Sequence, residues 1–186
     1  MNMIRLELRG VVLLETQVHG DDRGWFCETW SAPRMAAAGL DVVFVQDNHS
    51  YSARAGTLRG LHYQSPPRAQ TKLVRCTRGA VCDVAVDVRL RSPTYGSWVA
   101  IELSAENNRQ LLIPAGFLHG FVTLRDDTEV QYKCSDVYAG ECEGAVRWDS
   151  IGIDWPLSSD PVLSSKDQAA PSFAKWTSPF VWDGVE

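Results

Sequence analysis

Two short segments carry residue types suited to proton chemistry: Gly56-Thr57-Leu58-Arg59-Gly60-Leu61-His62-Tyr63-Gln64 and, further along, Pro114-Ala115-Gly116-Phe117-Leu118-His119. A metal-binding β-barrel pocket would want a second histidine two residues after the first and a carboxylate soon after, because an ion needs several convergent N/O donors. Here that second position is Gln64, and the run from it to Gln70 holds no Asp, Glu or His. No metal is expected at these segments. Two histidines are left to move protons, and the chemistry indicated is acid–base.

The elements that must position them read as short strands with turn signals every ten residues or so from Leu6 to Trp148, a spacing that predicts an all-β sandwich or barrel. The expected strands are Val11 to Leu14, Trp25 to Trp30, Phe44 to Ser52, Thr57 to Gln64, Thr71 to Thr77, Ala80 to Val88, Trp98 to Leu103, Gln110 to Ile113, Gly120 to Leu124, Glu129 to Cys134 and Ala145 to Trp148. Gly, Pro, Asn and Asp at 78–79, 92–96, 106–108 and 126–127 supply the turns. Helix is sparse. Ser31 and Gly39 bracket about two turns as cap and stop, and a second short helix is expected from Ser164 with Asp167 at its third position. The tail, 171–186, carries Phe173, Trp176, Phe180 and Trp182, too aromatic to be left loose, so it should pack on the barrel or on a partner subunit.

At 186 residues the chain fits one domain. A composition 45% hydrophobic and 22% charged excludes a mainly disordered chain. A net charge of −5 gives no overall pull toward nucleic acid, whose binding rests on neutralising phosphates. No apolar run approaches the roughly 20 residues needed to span a bilayer, and the N-terminus lacks the basic and apolar regions of a secretory signal, so a cytoplasmic protein without membrane partners is expected. Five cysteines, odd in number and without C-x-x-C spacing, indicate neither a disulfide framework nor a zinc site, and most should be buried thiols.

Strand alternation sorts the candidates. Asp83 shares a strand face with Ala85 and Asp87, and is either exposed or paired inside. Tyr132 shares a face with Val130 and Cys134 and should point inward. Arg59 and His62 are three apart and cannot both face a pocket from a regular strand, and Gly60 between them could host a bulge that corrects the parity. Taken singly, each candidate also has a structural reading: a hydrogen-bonded strand histidine at His62 or His119, a solvated lysine at Lys72, a core aromatic at Tyr132, a helix-capping carboxylate at Asp167.

Taken together, Asp22-Arg23-Gly24-Trp25-Phe26-Cys27-Glu28, Gln46-Asp47-Asn48-His49-Ser50, Leu58 to Gln64, Ala69 to Arg75, Asp83 to Arg89, Ser92 to Gly96, Ile113 to Phe121 and Ile153-Asp154-Trp155-Pro156 strongly resemble the dTDP-4-dehydrorhamnose 3,5-epimerases, over about residues 4 to 175. The resemblance implies a cupin-type jelly roll with a few short helices. It further implies a homodimer, without metal or organic cofactor, acting on a dTDP-linked 4-keto-6-deoxyhexose. The C3 and C5 protons flank the C4 ketone. Removing either gives an enolate, and protonation from the opposite face inverts that carbon.

By the same resemblance His62 is the base, an imidazole being competent near its ordinary pKa of about 6.5. Asp167 orients His62, Lys72 stabilises the enolate, and Tyr132 delivers the proton from the other face. Tyr138 stacks on the thymine ring, His119 with Asp83 binds and polarises the sugar, and Arg59 holds the diphosphate. Arg23, Phe26, Glu28, Gln46, Asp47, Asn48, Glu143 and Lys166 match nucleotide-binding positions, some of them drawn from a partner subunit. The alternatives are a mono-epimerase inverting C3 or C5 alone, a 4-keto to 3-keto sugar isomerase, and a sugar-nucleotide-binding cupin without turnover.

Overall fold

The computed structural model describes residues 1–184; Val185 and Glu186, the end of the tail expected to pack on the barrel, lie outside the described residues. The strands are β1 (Asn2–Arg5), β2 (Val12–Glu15), β3 (Val18–Asp21), β4 (Gly24–Cys27), β5 (Gln46–Ser52), β6 (Leu58–Gln64), β7 (Lys72–Arg78), β8 (Ala80–Asp87), β9 (Trp98–Ser104), β10 (Arg109–Ile113), β11 (Phe117–Thr123), β12 (Thr128–Cys134) and β13 (Glu143–Ala145). Helices α1 (Ala32–Ala37) and α2 (Ser165–Ala169) are short. One sheet has the order β1-β2-β10-β7-β12-β5, the second β13-β6-β11-β8-β9, and β3 and β4 form a separate hairpin. The two large sheets make the expected sandwich, and no helix among the described residues is long and apolar enough to cross a membrane.

The layering follows from which strands are apolar on one face and which on both. Leu13, Val74, Leu111 and Val130 from the six-stranded sheet meet Val81, Ala85, Leu103, Phe117 and Phe121 from the five-stranded sheet in a buried central core. The other face of the five-stranded sheet, with Val84, Val86, Leu118 and Val122, is covered by Trp155 and Phe180, with Phe173 and Trp176 packed beside them. Strand β8 is therefore buried on both sides, and its sequence reads as a nearly unbroken apolar run for that reason. The tail is fastened by an isolated parallel bridge at Leu90: the Leu90 amide donates to Phe180 O at 2.9 Å and the Trp182 amide to Leu90 O at 3.0 Å. Met35 of α1 covers Val12, Leu14 and Leu112 on the outside of the six-stranded sheet.

Several boundaries differ from the sequence expectation, each for a local reason. Strands β1 and β3 were not foreseen: β1 is a mostly exposed edge, and Val18-His19-Gly20-Asp21 holds poor strand formers paired only within its own hairpin. The expected strand Phe44 to Ser52 begins at Gln46, and that from Trp25 to Trp30 ends at Cys27. The last strand is Glu143–Ala145, ending where Ala145 to Trp148 was to begin, because it pairs with β6. Ser31 stands at the N-cap of α1 with extended backbone, yet its side chain makes no capping bond; Pro33, which has no N–H to satisfy, lies in the first turn. Ser164 does cap α2, accepting from the Asp167 amide at 3.1 Å.

The parity problem on β6 is resolved by a bulge at Gly60. Arg59 stands opposite Phe121 and His62 opposite His119, so three steps on β6 span two on β11. Gly60 has φ +136°, and a Cβ there would lie 2.6 Å from Gly120 Cα and 3.0 Å from His119 O. Backbone approach this close admits no side chain on either strand, and φ in this range disfavours any residue but glycine. Gly60→Ala is expected to cost about 3 kcal/mol or more, read as a lower denaturation midpoint in urea at unchanged m-value.

Candidate active site

A cavity of about 490 Å³ opens between the sheets and is lined by Arg59, His62, Lys72, His119, Tyr132, Glu143, Lys166 and Asp167, with Ser50, Phe121 and Leu163 among its other walls. This is within the range of small-ligand sites. Two histidines stand side by side on one wall because β6 and β11 pair His62 with His119 directly. The facing wall comes from the other sheet, where β7 brings Lys72 and β12 brings Tyr132. The bulge puts Arg59 and His62 on the same cavity.

Each histidine has its own carboxylate. His62 Nε2 lies 2.6 Å from Asp167 Oδ1, which leaves the other ring nitrogen for proton transfer. Asp167 reaches across because α2 is anchored: Leu58 N donates to Val162 O at 3.0 Å, Val162 N to Gly56 O at 2.9 Å, and the Ser164 cap then sets the helix start. Burial pushes the Asp167 carboxyl up, but the bonds and charge from His62, with Ser164 and the Gly60 backbone, outweigh it and hold the group below the usual carboxylate range. Its side chain is thus turned onto an imidazole. His119 Nε2 lies 2.7 Å from Asp83 Oδ1 in a buried pair. Asp83 is the inward-paired carboxylate of the two readings open for it, and its Oδ2 has no hydrogen-bond partner among the described residues.

Lys72 and Tyr132 differ from solvated counterparts. The Lys72 Nζ stands 5.8 Å from the Tyr132 ring centroid. Among the described residues Lys72 makes no ion pair, and burial lowers its pKa against the opposing pull of Cys134, Asp83 and Glu143. Lys72 is half-buried on a strand flanked by β10 and β12, so it is not an edge residue. Burial raises the Tyr132 pKa, with Cys134 adding to it and Arg59 opposing, so the phenol stays protonated well beyond neutral pH.

At the mouth, Arg59 donates to Ser52 Oγ at 3.3 Å and Tyr51 O at 3.0 Å and has no carboxylate partner among the described residues. Glu143 accepts from Tyr138 Oη at 2.9 Å and pairs with Lys166 at 2.6 Å. An annex of about 120 Å³ adds Gln46, Asn48, Gln64, Gln70 and Tyr138 to His62, Lys72, Tyr132 and Glu143. Asp47 lies outside, paired with Lys133 at 2.9 Å.

Arg23, Phe26 and Glu28 are not brought to this cavity. Arg23 forks onto Asp21, Glu28 pairs with Arg34 at 3.2 Å, and the β3–β4 hairpin holds Trp25 and Phe26 largely exposed. Ser50, Phe121 and Leu163 were not foreseen as lining. For Phe121 the signal was present, since it alternates with His119 on β11. No cluster of three or more His, Cys, Asp or Glu side chains able to hold a metal occurs among the described residues.

Comparison with known proteins gives a consistent picture. The family model described as dTDP-4-dehydrorhamnose 3,5-epimerase matches residues 5–175. The Salmonella typhimurium dTDP-4-dehydrorhamnose 3,5-epimerase is 51% identical over 92% of this chain and 94% of its own. The crystal structure of the Bacillus anthracis dTDP-4-dehydrorhamnose 3,5-epimerase with TDP and PPi bound aligns with TM-score 0.89 at 46% identity, over 92% of this chain and 98% of its own. A Legionella pneumophila dTDP-6-deoxy-D-glucose-3,5-epimerase in complex with dTDP-4-keto-L-rhamnose aligns with TM-score 0.90 at 45% identity, over 94% and 93%.

Proposed function

The chain belongs to the dTDP-4-dehydrorhamnose 3,5-epimerase family, and from that premise we propose that it epimerises C3 and C5 of dTDP-4-dehydro-6-deoxy-D-glucose, giving dTDP-4-dehydro-L-rhamnose. The observation that carries the reading is the division of labour between the walls of one cavity. An imidazole tied to a carboxylate stands on one sheet, and a protonated phenol beside an ammonium with no ion pair among the described residues stands on the other.

In each inversion the His62 nitrogen not bound to Asp167 takes the proton from C5 or C3, and the C–H electron pair moves into the C4 carbonyl to give an enolate. Lys72 stabilises the oxygen. Tyr132 Oη then protonates the carbon from the opposite face. His62 and Tyr132 return to their starting protonation states by exchange with solvent before the second carbon is inverted. Asp167, held as a carboxylate, favours the imidazolium that forms in between. His119 with Asp83 grips the sugar, Arg59 takes the diphosphate, and Tyr138, Glu143 and Lys166 line the path to the base. Gln46 and Asn48 border the same annex.

Arg23, Phe26 and Glu28 fit this scheme only as residues lent to a second copy of the chain. The exposed aromatic hairpin supports a homodimer, for which light scattering should give twice the chain mass.

The deciding experiment is turnover of the dTDP-4-keto sugar in deuterated water, read by NMR. Two solvent deuterons, one at C3 and one at C5, are expected. A single deuteron would make the chain a mono-epimerase, a shifted carbonyl would make it a keto-sugar isomerase, and no exchange would leave a binding protein. Tyr132→Phe should lower epimerisation by about a hundredfold or more while leaving dTDP affinity nearly unchanged; a large loss of affinity would contradict its role as the acid.

A further inference from the structure

Gln64 stands two residues after His62, where a metal-binding barrel would carry another ligand, and its side chain is 6% exposed. Its amide is committed to main chain on the far side of the site. Nε2 donates to the carbonyls of Arg68 and Val137, the latter at 3.0 Å, while Oε1 accepts from the Ala139 amide at 2.9 Å. Two other glutamines hold the same segment: Gln46 Oε1 accepts from the Tyr138 amide at 2.8 Å, and Gln70 Nε2 donates to Asp136 O at 2.8 Å. A primary carboxamide carries two N–H donors and an acceptor oxygen on one planar group, and all three are used here, on Arg68 O, Val137 O and the Ala139 amide. The backbone of residues 136–139 is therefore fixed by three side chains from the body of the fold.

That segment carries Tyr138, whose ring is 61% exposed although its position is set at both ends. The backbone N–H is held by Gln46, and the hydroxyl donates to Glu143 Oε2, itself paired with Lys166. An aromatic ring held still while still exposed has lost its freedom before any ligand arrives, which lowers the cost of stacking a flat partner on it. Strand β13 closes the arrangement, since Glu143 pairs in register with Gln64.

We infer that Gln64 is a positioning residue, coupling the strand that bears His62 to the Tyr138 platform and so setting the distance from the seated nucleobase to the reacting carbons. The inference rests on the function proposed above and adds to it a residue whose amide groups are all spent on main chain. Gln64→Ala should weaken binding of dTDP, measured by calorimetry, by about tenfold. It should lower kcat/KM for the dTDP-4-keto sugar by a similar or larger factor, misplacement of a bound substrate being costly. Turnover of the corresponding 4-keto-6-deoxyhexose 1-phosphate, which has no base to seat, should stay within about twofold of wild type, a margin set by ordinary additivity.

In the double variant with Tyr138→Ala the losses should not add, because both act through one platform. Additive losses, or an equal loss on the base-free substrate, would overturn the assignment. If Gln64→Ala does not fold, Gln64→Glu serves: it keeps the acceptor for Ala139 N–H, loses both donors, and should show an intermediate loss confined to the nucleotide-bearing ligands. Calorimetry separates this inference from the proposed reaction. A wild-type protein that binds dTDP but epimerises nothing refutes the reaction and leaves the Gln64–Tyr138 coupling to be judged on affinity; one that does not bind dTDP refutes both.

Discussion

His62→Ala is expected to lower epimerisation of the dTDP-4-keto sugar by about a thousandfold or more, and to abolish solvent exchange at C3 and C5, while dTDP still binds. The size follows from what is removed. A positioned general base contributes roughly a hundred to ten thousandfold, and no other group on its wall can replace it without rearrangement: His119 is buried and committed to Asp83. Asp167 is held below the usual carboxylate range and is the wrong strength for the task. The base is removed from the sugar end of the cavity, whereas Tyr138 and Arg59 border its mouth, so affinity for the nucleotide survives. Exchange of either proton at the wild-type rate in His62→Ala would sink the assignment and turn attention to the His119–Asp83 pair.

How much of this was legible in the sequence depended on whether a residue's role was local. The sandwich was readable because most strands alternate or run apolar between turn residues, and the bulge was readable because Arg59 and His62 have the wrong parity for one face while Gly60 lies between them. Asp83 remained open between surface and interior, since alternation assigns a face without saying what covers it. Both faces of β8 turn out to be buried, one by the opposite sheet and the other by Trp155 and the aromatic tail.

Asp167 shows the limit most clearly. Read locally, Ser164-Ser165-Lys166-Asp167 is a capped helix start, and it is one. That its carboxylate lands on His62 depends on the bridge between Thr57 and Val162, a contact between distant segments that leaves no trace in local pattern. Gln64 was noticed only as a residue that is not a metal ligand. Its three main-chain bonds lie on segments whose proximity is a property of the fold. Arg23, Phe26 and Glu28 mark the converse case, where a matched motif lies on a hairpin away from its own chain's cavity.

Lys72→Met should separate activity from stability in opposite directions. The wild-type ammonium is desolvated, has no carboxylate within ion-pair distance among the described residues, and lies beside the Tyr132 ring. Such a group is costly to the fold. It is useful only if a negative charge arrives, and an enolate oxygen at C4 is such a charge, met by a preorganised cation in a site where little reorganisation is needed. Replacing it with a side chain of similar shape and no charge should cost about a hundred to a thousandfold in kcat. The same change should stabilise the protein by about 1 kcal/mol, raising Tm by roughly 2–4 °C for a chain of this length. The gain depends on pH with a definite sign. Because burial lowers the folded-state pKa below the roughly 10.4 of a free lysine, the wild-type penalty is present in full below the folded value and is relieved as pH climbs from there toward the free value. The stability advantage of Lys72→Met should therefore shrink through the alkaline range and be largest near neutrality. A variant that is both inactive and less stable would mean that Lys72 is held by the fold for packing, and the oxygen-stabilising role would have to pass to another donor in the cavity.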